Sequence, residues 1–182
     1  MSRKYKIRDQ EKLHFVSFAT VNWIDLFVRP EYAEILLDSL RYCQKEKGLE
    51  IYAWCIMPSH VHLIIGTRGE PMQNILRDFK SYTSRKLREE IQNHPSESRR
   101  EWMTWMMERA GKKNGNNHDW QLWQQHNQPI ELNTNEMMDQ CVEYLHMNPV
   151  EAGFVDEAEA WSFSSSRDYA GRKGLLKICF IE

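Results

Sequence analysis

Hydrophobic positions along this chain switch between a period of two and a period of three to four, and the switches divide it into elements. Residues 13–22 alternate apolar and polar side chains and are rich in β-branched and aromatic types, which predicts a first strand. After Pro30, the residues Tyr32, Ile35, Leu36, Leu40 and Cys43 recur at helical spacing until Lys47-Gly48 stops the pattern. Residues 51–56 and 60–65 flank a Met57-Pro58-Ser59 turn and predict two antiparallel strands. Met72, Ile75, Leu76, Phe79, Tyr82, Thr83 and Leu87 predict a second helix over 72–91.

Residues 93–119 are polar apart from Trp102, Trp105, Met106 and Met107, and predict a short helix or loop insertion that softens over 111–117. A strand is expected within 120–132, and Asn133-Thr-Asn-Glu136 has the capping chemistry to start a third helix over 136–147. Pro149 disfavours helical geometry at Asn148, so that helix is expected to end there. A short strand over 174–182 closes the chain. The order suggests an α+β protein with a mainly antiparallel sheet.

At 182 residues the chain suits one domain spanning 1–182, and no apolar run approaches the ~20 residues of a membrane span. The basic start leads into Asp9-Gln-Glu-Lys12 rather than an apolar segment, so a cytoplasmic protein is expected. Cys43, Cys55, Cys141 and Cys179 form no C-x-x-C pair, so neither a zinc knuckle nor a disulfide framework is indicated, and the thiols are expected to be reduced and mostly buried. The net charge of −2 hides a polarised distribution. Basic side chains outnumber acids from Arg77 to Lys113, whereas residues 114–166 contain no Lys or Arg. Such blocks suit phosphate and cation contacts respectively, although solvated helix faces are their usual cause.

The candidate chemistry begins at His60 and His62. On a strand they point the same way, while Val61 and Leu63 point the other. One buried histidine is ordinarily a satisfied core residue, but two on one face need partners for four ring nitrogens, and a shared cation would serve both. The spacing alone does not choose, since H-x-H occurs in metal enzymes and in plain structural proteins. Tyr144 and Asn148, four apart, share a helix face, a pattern that by itself reads as packing and a helix end.

Taken together, Met57-Pro-Ser-His-Val-His-Leu63 and Tyr144-Leu-His-Met-Asn-Pro-Val-Glu-Ala-Gly-Phe-Val155 resemble the motifs of the single-tyrosine HUH transposases. Within that class the chain looks most like the REP-associated branch of the IS200-like superfamily, with Trp161-Ser-Phe-Ser-Ser165 matching its W-x-x-S-S ending and Leu122-Trp-Gln124 its segment before the tyrosine helix. The resemblance implies a ferredoxin-like sandwich with the histidine pair on a central strand, helices on one face and the tyrosine on a helix packed beside that strand. It implies a metal-dependent endonuclease and strand transferase that acts on single-stranded DNA hairpins through a 5′-phosphotyrosine. Tyr144 would be the nucleophile, His60, His62 and Asn148 the ligands of Mg²⁺ or Mn²⁺, and His146 a packing residue. Arg77, Lys80, Arg85, Lys86 and Arg88 are candidate contacts to the DNA backbone, and Trp102 and Trp105 candidate stacking platforms that are more often core. The enzyme would act as a monomer or as a homodimer. Two other readings stay open: a domesticated, non-catalytic hairpin binder, and a phosphodiesterase without a covalent intermediate.

Overall fold

The computed structural model describes residues 7, 9–10, 12–115, 119–125 and 129–180. Four strands form one antiparallel sheet: β1 (His14–Ala19), β2 (Leu49–Ile56), β3 (His60–Thr67) and β4 (Ile130–Glu131), in the order β2-β3-β1-β4. Between β1 and β2 runs α1 (Pro30–Lys47), and after β3 run α2 (Met72–Asn93) and α3 (Arg100–Lys112). This is the ferredoxin-like arrangement, to which α4 (Asn135–Glu151) is added.

Alternation on the strands builds two separate apolar layers. Val16, Phe18, Ile51, Ile56, Val61, Leu63 and Ile65 join the buried faces of α1 and α2 in the larger core. Phe15, Ala53, Cys55, Met57 and Ile64 face the other way and meet Leu145 of α4. The expectation of helices on one face therefore holds for α1 and α2, but α4 covers the opposite face. Its apolar residues Met137, Met138, Cys141, Val142 and Leu145 needed a layer of their own.

Helix α1 starts at Pro30 and stops at Gly48, whose φ of +72° is open to glycine at little cost. A Cβ at Gly48 would lie 2.8 Å from the Gly69 backbone, so this corner also requires the missing side chain. The 93–119 segment carries a helix that sends Met103 and Met107 into the larger core. Trp102 and Trp105, at 49% and 53% exposure, stay outside it.

Three sequence expectations are corrected. The strand sought within 120–132 reduces to an isolated bridge at Trp123 and the two residues of β4. Helix α4 continues through Pro149 to Glu151, because a proline in the last turn forgoes one N–H bond while Ala152 and Phe154 still donate to Asn148 and Pro149. No strand forms over the described residues 174–180, where Cys179 N–H makes a single bond of 2.8 Å to Ile51 O. Residues 116–118 of the expected 93–119 insertion, 126–128 and 181–182 of the expected strands, and 1–6 and 8 of the basic start lie outside the described residues.

The exposed edge of β2 is covered by 161–165. Ile56 N–H donates to Phe163 O, Ser165 N–H to Trp54 O and Trp161 Nε1–H to Ile56 O, so the W-x-x-S-S segment occupies donors and acceptors that an edge strand would leave open. No described helix is long and apolar enough to cross a membrane.

Candidate active site

Strand β3 is flanked on both sides, and the residues opposite its histidines are small. Ser17 and Cys55 pair with His62, and Ala19 pairs with His60. These short side chains leave the two imidazoles room on the α4 face, where their ring centroids are 4.8 Å apart. Phe15 stacks against His62 at 5.5 Å, and Trp23 meets His60 edge-on at 5.5 Å.

Helix α4 brings Tyr144 to the pair. Its ring lies 5.4 Å from that of His62, and the residue is 48% exposed, so the tyrosine is beside the imidazoles and open to solvent. One turn later, the Asn148 side-chain amide donates to Tyr144 O at 2.8 Å. With its nitrogen so engaged, the amide oxygen is the group left to serve the imidazoles. Asn148 favours the charged forms of both histidines, the sign expected of a nearby oxygen, although it completes no hydrogen bond to either His62 nitrogen. The structure thus brings His60, His62, Tyr144 and Asn148 together on one face.

Burial pushes both histidines down, His62 to about 4 with further help from the neighbouring His60. Both are therefore neutral near pH 7, the form in which imidazole nitrogen binds metals. His60 Nδ1 lies 3.2 Å from Ser59 Oγ, which occupies that nitrogen and leaves Nε2 for another partner. Neither nitrogen of buried His62 has a hydrogen-bond partner. Orphaned buried polar atoms cost about 1–3 kcal/mol, and they fit a site that is completed by a ligand. Among the described residues no group of three His, Cys, Asp or Glu gathers to hold a metal, so any cation here would rest on two imidazoles and the amide oxygen.

His146 does face away from this cluster, as its position on the helix predicts. Its Nε2 lies 2.8 Å from Ser165 Oγ, which also accepts from Trp54 N–H, so it ties α4 to β2. Burial pushes its pKa down to about 4.

The basic candidates on α2 are not brought to this face, because α2 packs on the other side of the sheet. Arg77 pairs with Asp78 and Lys86 with Glu89, both at 2.8 Å, while Arg88 lies over Trp120 near Glu108 and Asp119. Arg85 rests on Tyr82, and half-buried Lys80 lies over Phe18 with its pKa lowered to about 8 by burial.

Three residues at the site escaped the sequence reading. Phe15 was signalled by alternation, two residues before Ser17 on the face of the histidines. Ser59, in the Pro-Ser turn, gave a signal only as part of the motif. Trp23 gave none, because its place depends on a backbone that sequence does not announce: Asn22 and Trp23 both have φ of +54°. Asn tolerates such backbone, whereas in Trp23 it costs on the order of 1–2 kcal/mol.

Among the solved structures that match this chain are two transposases. A REP-associated tyrosine transposase bound to a REP hairpin superposes with a TM-score of 0.67 at 17% identity, covering 100% of this chain and 94% of its own. A candidate transposase from Deinococcus radiodurans has a TM-score of 0.46 at 20% identity, covering 78% of this chain and 94% of its own. No curated protein is significantly similar in sequence. The family model described as transposase IS200 like matches residues 9–119, which contain β1 and both histidines and stop before α4. On that match, over more than half of its length, the chain belongs to the IS200-like transposase family.

Proposed function

We propose that this transposase cuts and joins single-stranded, hairpin-bearing DNA through a covalent link to Tyr144. The observation that carries the reading is an exposed tyrosine ring 5.4 Å from a buried, neutral imidazole with two unpartnered nitrogens. The Tyr144 oxygen would attack the scissile phosphorus and give up its phenolic proton; an O–P bond to tyrosine forms, the bond to the 3′ oxygen breaks, and that departing oxygen takes up a proton to become a 3′ hydroxyl. The product keeps the phosphodiester's bond energy, so the 3′ hydroxyl of another strand can reverse the step and join DNA.

His60, His62 and Asn148 would hold the divalent cation. Mg²⁺ or Mn²⁺ bound there would polarise the phosphodiester and offset the charge that develops on it. Phe15 fixes the plane of His62 by stacking, Ser59 fixes His60, and the bond from Asn148 to Tyr144 O holds the amide oxygen inward. The choice of a hairpin substrate is supported by the solved relative, which is bound to a REP hairpin. In this reading Arg77, Lys80, Arg85, Lys86 and Arg88 hold the DNA backbone away from the scissile bond.

The test is a denaturing gel with hairpin oligonucleotides from the DNA flanking the gene, with Mn²⁺, for the wild type and Tyr144→Phe. The expected result is a protein–DNA adduct that disappears on substitution and on chelation. Binding without adduct would instead support a non-catalytic hairpin binder, and metal-dependent cutting that survives Tyr144→Phe would support a phosphodiesterase.

A further inference from the structure

We infer that Trp23 and the groove beside it form a binding site for the single strand that flanks the scissile phosphate, with the indole stacking on a base and Arg109 and Lys113 contacting phosphates. The inference relies on the proposed function only for the nature of the ligand, a nucleic acid strand.

Trp23 is 59% exposed, yet its neighbours in the loop are firmly anchored: Ile24, Leu26 and Phe27 are buried at 3%, 0% and 4% exposure. The loop is tied to the turn that precedes His60. Thr20 N–H donates to Ser59 O at 2.9 Å, Phe27 N–H to Pro58 O at 2.8 Å, and the Thr20 hydroxyl lies within hydrogen-bond distance of Ile24 O and Ser59 O. The left-handed backbone at Asn22 and Trp23 then turns the indole out beside His60, at 5.5 Å. A large aromatic held in strained backbone and left in solvent gains nothing for the core. Stacking on a base would use it, because every base presents a π face.

The adjoining residue, Asn22, lines a groove of about 560 Å³ between this loop and α3, together with Arg109, Lys113, Gln121 and Gln125. The lining is mostly polar and offers the Asn22 and Gln125 amides for base edges and two cations for phosphates, while the Gln121 amide is held by Asn114 and the Trp123 carbonyl. Unlike Arg77, Lys86 and Arg88 on α2, neither Arg109 nor Lys113 has a carboxylate within ion-pair distance among the described residues; Arg109 rests on the exposed Trp105 ring at 5.1 Å. The groove therefore adjoins the loop that carries Trp23 and presents charge of the sign a phosphate chain requires.

The test measures fluorescence anisotropy of a labelled oligothymidine strand with metal chelated, so that Tyr144 chemistry does not enter the readout. Trp23→Ala is expected to weaken binding by about ten-fold, with Trp23→Phe restoring most of it. Arg109→Ala combined with Lys113→Ala is expected to lower the slope of log affinity against log salt by roughly 1.4, at 0.7 per lost contact. Lys45→Gln, at the C-terminal end of α1 and outside the groove lining, is expected to change nothing. Wild-type affinity in the Trp23 and Arg109/Lys113 variants, no binding by the wild type, or an equal loss in Lys45→Gln would overturn the inference. Loss of flank binding in a protein that forms no adduct would uphold this site while removing the covalent mechanism.

Discussion

The two faces of the sheet use the same strands for opposite purposes. On one, Val61, Leu63 and Ile65 sink into a thick layer built by α1 and α2. On the other, His60 and His62 stand beside Tyr144 under a single helix, with Phe15 packed against His62 and Tyr144 and neither His62 nitrogen hydrogen-bonded. The period-two alternation of one strand thus separates stability from chemistry, so that a substitution should injure one while sparing the other.

The largest effect is expected from a matched pair of neighbours. Leu63→Ala should lower stability by about 2–5 kcal/mol in denaturant unfolding, the usual cost of truncating a buried leucine. His62→Leu should unfold no earlier than the wild type, because it removes two unsatisfied nitrogens, while abolishing Mn²⁺ uptake measured by calorimetry. A His62→Leu protein that is several kcal/mol less stable would show that the two faces are not separable.

A smaller effect is expected where the faces are tied together. Ser165→Ala leaves buried His146 and Trp54 N–H without their shared hydroxyl, and should cost about 1–3 kcal/mol while slowing adduct formation through a looser α4.

A pH-dependent effect sharpens the contrast from the core side. Burial pushes Glu97 up, but hydrogen bonds from Arg99, Arg29 and Tyr32 outweigh it and bring the carboxyl down to about 2. Its folded-state pKa lies below the unfolded value near 4.5, so its contribution is present above that pH and lost as pH falls from about 4.5 towards 2. An acid titration of thermal stability should show this loss in the wild type and a shallower one in Glu97→Gln.

Much of this was legible in the sequence, for reasons that differ by element. Helix α1 was readable to its ends, because Pro30 and Gly48 punctuate a clean helical period. The shared face of His60 and His62 followed from strand alternation, which needs no tertiary information. Helix α4 was placed, but its end was not, since proline in a final turn loses little and the rule against it is local. The 174–180 segment was misjudged because its apolar residues cover other elements instead of pairing in a ladder. Trp23 was invisible because exposure and positive φ are properties of the assembled loop.

The most direct test of the account is peptide mapping by mass spectrometry after the wild-type protein reacts with Mn²⁺ and a flanking-DNA hairpin. The account predicts a nucleotide linked through a 5′ phosphate to Tyr144 and to no other residue. Linkage elsewhere, or cleaved DNA with no protein-bound nucleotide, would contradict it.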